Sequence, residues 1–290
     1  MPLDEEDQSY VFALLLLARR VERSVAAGIR GSLHTSFLNI RRLVLGLGAA
    51  TIFRAYQWQQ LRAQVPELLV PLNDAVGGQL INELHELAPK VRARAGRKAG
   101  IEPTPIRRDM VATAQRTRVL GTSVFEEFDR SRGTSPFVRR QQIELEKTVQ
   151  SGLLANKTTE QIADDVIGVT TRAGQEVPVV RTSSMARRVL NRVTNFIAGA
   201  VWDVVNTETI DVFDEAAASA DARNTPSNRA NAQPPSSGAI EWEWIAVLDP
   251  ATCPICAPLG GQRRSSRNGF GVTPPVHPNC RCVLLPRGLT

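Results

Sequence analysis

From Tyr10 onward, apolar residues return every three or four positions through most of the first 204 residues, a period that few structures other than amphipathic helices satisfy. Tyr10, Leu14, Leu17, Val21 and Val25 make one such stripe, and similar stripes run through 38–65, 68–91 and 106–128. Pro66, Pro71, Pro89, Pro103 and Pro105 punctuate the pattern. Proline lacks an amide hydrogen and crowds the preceding turn, so each is expected near a helix boundary. Residues 43–51 (LVLGLGAAT) carry two glycines and read as a loose or bent core helix. Thr158 with Gln161 has the form of a capping box, opening a short helix to about Ile167. The stretch 168–178, with its glycines and proline, reads as a loop. A long helix follows, with Val189, Val193, Phe196, Ile197, Val201 and Val204 on one face.

After that helix the pattern changes twice. Residues 222–239 (ARNTPSNRANAQPPSSGA) contain nothing more hydrophobic than alanine, so they cannot bury enough apolar surface to offset the entropy of ordering. They read as an exposed linker or insertion. Ile240, Trp242, Trp244, Ala246 and Leu248 then alternate with Glu241, Glu243, Ile245 and Val247, which is the period of a β-strand with one richly apolar face. The expected class is therefore α+β and predominantly α-helical. Its parts are a helical domain over 1–156, a second helical part over 157–221, the linker 222–239, and a small C-terminal β module over 240–290.

The longest apolar run near the N-terminus, Val11 to Ala18, is far short of the ~20 residues that span a bilayer. Its positive charges follow the run instead of preceding it, the reverse of a signal peptide, so a soluble protein kept in a cytoplasm is expected. The net charge is +6 and unevenly spread. Nine Lys/Arg lie between Lys90 and Arg118 against Glu102 and Asp109, and the last 40 residues hold five Arg and no acid. Such runs can neutralise phosphates, although most are solvated helix faces, and no aromatic residues interleave with these arginines as a base-stacking platform would require. Arg263, Arg264, Arg267 and Arg281 are the candidate phosphate contacts.

All four cysteines fall in those last 40 residues, with one of only three histidines. Cys253-Pro-Ile-Cys256 is followed by His277-Pro-Asn-Cys280-Arg-Cys282. Zinc takes four thiolate or imidazole ligands in a tetrahedron, and a Cys-x-x-Cys turn brings two sulfurs to one point. Cys253, Cys256, His277, Cys280 and Cys282 are thus five candidates for four positions of a structural zinc site, and the closeness of Cys280 to Cys282 leaves one of them a candidate bystander. Two other readings stay open: disulfides between the two clusters, and reduced thiols packed as small apolar groups. Catalytic readings find no support. A zinc deaminase needs His-x-Glu ahead of Pro-Cys-x-x-Cys, whereas Thr252 precedes Cys253 and His85-Glu86 lacks the spacer. No Gly-x-Ser-x-Gly, Walker A or His-Glu-x-x-His is present, so no catalytic residue is assigned.

The string from Trp244 through Asp249, Cys253-Pro-Ile-Cys256, Leu259-Gly-Gly261, Pro274-Pro275 and His277-Pro-Asn-Cys280-Arg-Cys282 to Pro286 resembles the end of the bacteriophage Mu F-like minor head (head-morphogenesis) proteins. Thr159-Glu-Gln-Ile-Ala163, and Val180-Arg181-Thr182 opening a helix with Asn191, are similar to that family's upstream helices. The resemblance runs over about 153–286. It departs from the family at Gly260 and Ser183, where acids are usual. It implies a virion protein and not an enzyme: a minor head component present in several copies, associated with the portal and the capsid interior. Its expected partners are the portal protein, the major capsid protein and packaged DNA bound without sequence preference. Its expected roles are head assembly, DNA packaging or genome delivery, with assembly in the bacterial cytoplasm. The alternative is a zinc-ribbon-like module that binds or processes DNA at the portal.

Overall fold

In the computed structural model, which describes residues 5–46, 55–172, 174–223, 241–246, 254–276 and 280–287, three long helices carry most of the apolar stripes. Helix α1 (Glu5–Gly46) opens on Glu5, Glu6 and Asp7, acids that favour the positive end of the helix dipole. Its buried stripe runs from Leu14 and Val21 through Ile29 and Phe37 to Val44. Helix α2 (Ala55–Ala99) contains Pro66, Pro71 and Pro89, which the sequence reading placed near boundaries. An interior proline costs about 3 kcal/mol. Here Leu61, Leu69, Leu72, Leu80 and Leu84 are fully buried, each contributing about 1.5–3 kcal/mol, and that burial outweighs the prolines. Of the glycine-bearing stretch 43–51, residues 47–51 lie outside the described residues.

The segment 106–128 is also not one helix. It holds α3 (Met110–Arg116), two-residue strands β1 (Arg118–Val119) and β2 (Thr122–Ser123), and α4 (Val124–Phe128). The break falls at Leu120 and Gly121, both at positive φ (51° and 87°). Helix α5 (Pro136–Leu154) follows, and then α6 (Thr159–Val166), where Thr158 and Gln161 make the expected reciprocal cap. Residues 168–179 form a hairpin instead of the expected loop: β3 (Gly168–Arg172) pairs antiparallel with β4 (Gln175–Val179), turning at Gly174 with φ +77°. The β-branched residues Val169, Thr170, Thr171, Val177 and Val179 suit a pleated strand and override the glycine and proline signals. Helix α7 (Met185–Arg223) starts beyond Ser184, whose hydroxyl accepts from the Arg187 N–H at 3.3 Å. Most of the expected linker lies outside the described residues.

Two compact units can be separated. One comprises Arg23–Ile81 and Thr122–Asn195. Within it Phe128 and Phe137 stack at a tilt 5.3 Å apart, and Asn73 ties Phe128 and Ser135 together through a buried amide. The other comprises Met1–Glu22, Asn82–Gly121 and Phe196–Thr290, and it holds the C-terminal sheet. There β5 (Glu241–Ile245) is the central strand, with β6 (Arg263–Arg264) and β7 (Val283–Arg287) antiparallel on either side. Being central, β5 is buried on both faces from Trp242 to Ile245 instead of alternating. Glu243 is tolerated there because it accepts from Arg263 Nε at 3.1 Å and Arg287 Nε at 2.6 Å. Among the described residues, no helix is long and apolar enough to cross a membrane.

Candidate metal centre

Cys256 caps a short 3-10 turn (Ala257–Leu259), its carbonyl accepting from the Leu259 and Gly260 N–H groups at 3.2 and 3.3 Å. Cys280 and Cys282 lead directly into β7, and the spacing of two suits residues that face the same side of an extended segment. All three thiols are buried, and their sulfurs lie within 4.8 Å of one another. Cys256 Sγ and Cys280 Sγ are 3.7 Å apart, far beyond the ~2.0 Å of a disulfide bond. That separation matches the edge, about 3.8 Å, of a tetrahedron whose metal–sulfur bonds are ~2.3 Å. The three sulfurs, those of Cys280 and Cys282 both among them, are therefore close enough together to hold a soft divalent cation. Cys253 and His277 lie outside the described residues.

Local electrostatics prepare the cluster for a cation. The hydrogen bond from Cys282 pulls the Cys280 thiol down to about 5, and the backbone N–H groups of Cys282 and Val276 add to this against the opposing effect of burial. Cys282 moves up, because it donates to Cys280 and is itself buried. Hydrogen bonding among the sulfurs thus favours the thiolate at Cys280 over that at Cys282. Among the described residues, no histidine or carboxylate joins these sulfurs. Three soft donors in an apolar shell are compatible with a structural site, which a fourth protein ligand would close.

The shell around the sulfurs is built from β5, β7, α7 and the short turn Arg267–Phe270. Trp242, Trp244, Phe270, Leu284, Ile210 and Phe213 pack with the cysteines into one cluster, and Trp244 lies 5.6 Å from Phe270. Sequence reasoning missed Asn206 of α7. Its Nδ2 donates to the Trp202 carbonyl at 2.9 Å and to the Cys282 carbonyl at 3.1 Å. The available signal was a lone amide in the apolar run Val204-Val205-Asn206, where a solvated helix face was not on offer.

The four candidate arginines sit around this module. Arg263 bonds Glu243. Arg264 donates to Gln262 Oε1 at 2.6 Å and lies 5.7 Å over Phe270. Arg267 pairs with Asp214 at 3.1 Å and lies 5.3 Å over Trp242, while Arg281 is half-buried and has a partner. Much of the basic run 90–118 is likewise engaged inside its own unit. Arg92 pairs with Glu208 and Glu215, Arg108 with Glu208, Arg116 with Asp211, and Lys98 with Glu6 and Asp7.

A family model described as Phage Mu protein F like protein matches residues 141–285, half of the chain. That span takes in α6, most of α5, all of α7 and the cysteine module. No curated protein and no solved structure matches.

Proposed function

Because the chain belongs to the phage Mu protein F-like family, whose members are head-morphogenesis proteins, we propose that it is a minor head component associated with the portal and the capsid interior. In this reading it contacts the portal protein, the major capsid protein or both, is carried in several copies in the virion, and serves assembly, DNA packaging or genome delivery without catalysing a reaction. The observation that carries the reading is the family match, which spans all four cysteines. The module itself is a folding unit closed by one zinc ion on Cys256, Cys280, Cys282 and a fourth ligand, either Cys253 or His277. The sulfur spacing and the buried apolar shell support that role. The alternative, a DNA-binding or DNA-processing module acting through Arg263, Arg264, Arg267 and Arg281, has less behind it, because the first three are already engaged by Glu243, Gln262 and Asp214.

Two measurements test the two halves separately. Mass spectrometry of purified heads should find the chain in far fewer copies than the major capsid protein, and its absence from heads and procapsids would overturn the head reading. Elemental analysis of the purified full chain should find about one zinc per chain with protected thiols. Single replacements of Cys253 and His277 should then show which one completes the site. Metal-free protein with freely titrating thiols would overturn the zinc site and leave the head reading standing.

A further inference from the structure

The net charge of the chain is concentrated in one unit. Residues 23–81 and 122–195 carry 17 Lys/Arg against 11 Asp/Glu, a surplus of +6, whereas the other unit carries 18 against 18. The basic runs visible in the sequence, at 90–118 and 251–290, both fall in the neutral unit.

Within the charged unit, α5 and α7 hold a cluster of arginines. Arg140, Glu144 and Thr148 lie four apart on α5, and Arg188 and Arg192 lie four apart on α7, so each set shares a helix face. Glu144 accepts from Arg188 Nε at 2.7 Å and from Arg192 at 2.9 Å. Burial alone would raise the Glu144 carboxyl, but these hydrogen bonds outweigh it and hold it below the usual range. Arg188 is used up, since it also donates to Thr148 Oγ1 and to the Ser183 carbonyl. Arg140 is held by Glu127. The buried carboxylate of Glu127 and the partly buried one of Glu144 therefore pin three guanidiniums, and one positive charge is left over. The side chains of Arg140 and Arg192 remain 51% and 52% exposed. Burial, together with the like charge of Arg192, disfavours the Arg140 cation, so the pair gains from a further anion. Arg139 and Arg187, next in sequence on the same two helices, are exposed and have no acidic partner among the described residues.

We infer that Arg140 and Arg192, held in place by Glu127 and Glu144, form a phosphate-binding site whose ligand is the backbone of duplex nucleic acid. A guanidinium fork matches phosphate geometry, and pinning by these carboxylates reduces the entropy that a free arginine would lose on binding. A single carboxylate from a protein partner would satisfy the pair but leave Arg139, Arg187 and the rest of the surplus unused, whereas a polyanion gains from each cation through counterion release. On α5 and the 185–195 stretch of α7, which carry the arginines, the one aromatic ring is Phe137 and it is buried, which favours phosphate contact over base stacking and hence a duplex over a single strand. The inference stands on residues apart from the cysteine centre, and its failure would leave the head-protein reading intact.

The test is fluorescence anisotropy of a short labelled duplex with the full chain, between about 50 and 200 mM salt. Arg192→Gln leaves Glu144 paired with Arg188, and Arg140→Lys leaves Glu127 paired with a cation, so both variants should fold, as circular dichroism would verify. Losing one phosphate contact should make the log–log salt slope about 0.9 shallower and weaken binding about eightfold near 0.1 M salt. Arg140→Lys should weaken binding while keeping the slope, and Arg264→Gln in the other unit should change neither. The inference is overturned if the wild-type chain does not bind the duplex, or if folded Arg192→Gln binds it unchanged. It is also overturned if inorganic phosphate stabilises the wild-type chain, but not Arg192→Gln, while duplex affinity is the same for both. Equal competition by polyglutamate and by the duplex would overturn the phosphate assignment.

Discussion

Asn206 in the middle of α7 and Cys282 at the entrance to β7 are joined by a hydrogen bond of 3.1 Å, from the Asn206 amide to the Cys282 carbonyl. One side chain thereby connects the long helix to a sulfur-bearing residue of the candidate metal centre. Groups just behind metal ligands orient them, and their loss typically weakens metal binding about 10–100-fold. Asn206→Leu should do so in a chelator-competition assay. It should also lower stability by about 1–3 kcal/mol, because the carbonyl is left buried without its donor. Unchanged metal affinity would show that α7 does not position the centre.

Glu243 offers a sharper contrast within the same module. Its carboxylate is buried in the central strand and held by Arg287 and Arg263. Glu243→Leu leaves the mostly buried Arg287 with one acid fewer and should cost about 3 kcal/mol. Arg263→Gln removes a partner that is 43% exposed and should cost under about 1 kcal/mol. Urea unfolding of the two variants side by side checks the ranking, and equal losses would contradict it.

Asp203 should make stability depend on pH. Burial pushes its carboxyl up to about 6 from 3.8, against the opposing pull of the Arg118 backbone N–H and of Arg116 and Arg118. The folded chain thus binds this proton more tightly than the unfolded chain does. Stability falls as pH rises from about 4 to about 6, and the full cost is present above that window. Asp203→Asn keeps an oxygen to accept the Arg118 N–H while removing the charge. It should therefore stabilise the chain at neutral pH by up to about 3 kcal/mol and have little effect near pH 4. Denaturant midpoints at the two pH values decide; a stabilisation independent of pH would point to another cause.

Adjacent glycines in α2 should respond with opposite signs. A Cβ at Gly77 would lie 2.8 Å from Phe128 Cβ, whereas one at Gly78 would meet nothing within 4 Å. Gly77→Ala should cost about 1–3 kcal/mol by overpacking. Gly78→Ala should add about 1 kcal/mol through helix propensity. Thermal melts of both variants suffice, and a stable Gly77→Ala would show that α4 can move away from α2.

Local signals in the sequence translated directly into structure. The Thr158–Gln161 cap, the strand at 241–245 and the gathering of Cys256, Cys280 and Cys282 each depend on residues close in sequence or on a recognisable ligand chemistry. The failures have a common cause, which is that distant partners decide the outcome. Pro66 and Pro71 stay helical because leucines on both sides are buried. Glu243 turns inward because Arg287 comes from 44 positions away. Three arginines of the basic run at 90–118, Arg92, Arg108 and Arg116, meet acids (Glu208, Asp211 and Glu215) that lie on a helix about a hundred residues later. The arginine cluster on α5 and α7 was illegible for the opposite reason: its cations are spread thinly through the sequence and only the fold collects them.

The ion pair between Asp7 in the first turn of α1 and Arg287 in the last strand has a bearing on biosynthesis. The unit that contains it is assembled from three separate stretches of chain, the last of which reaches residue 290, whereas the other unit is complete by Asn195. On the ribosome, the positively charged unit has all of its residues available while the neutral one still waits for its final strand. During that interval Asp7 and Asp214 have emerged without their C-terminal counterparts, Arg287 and Arg267. Translation order therefore favours a nascent chain that completes the unit ending at Asn195 before Asp7 meets Arg287.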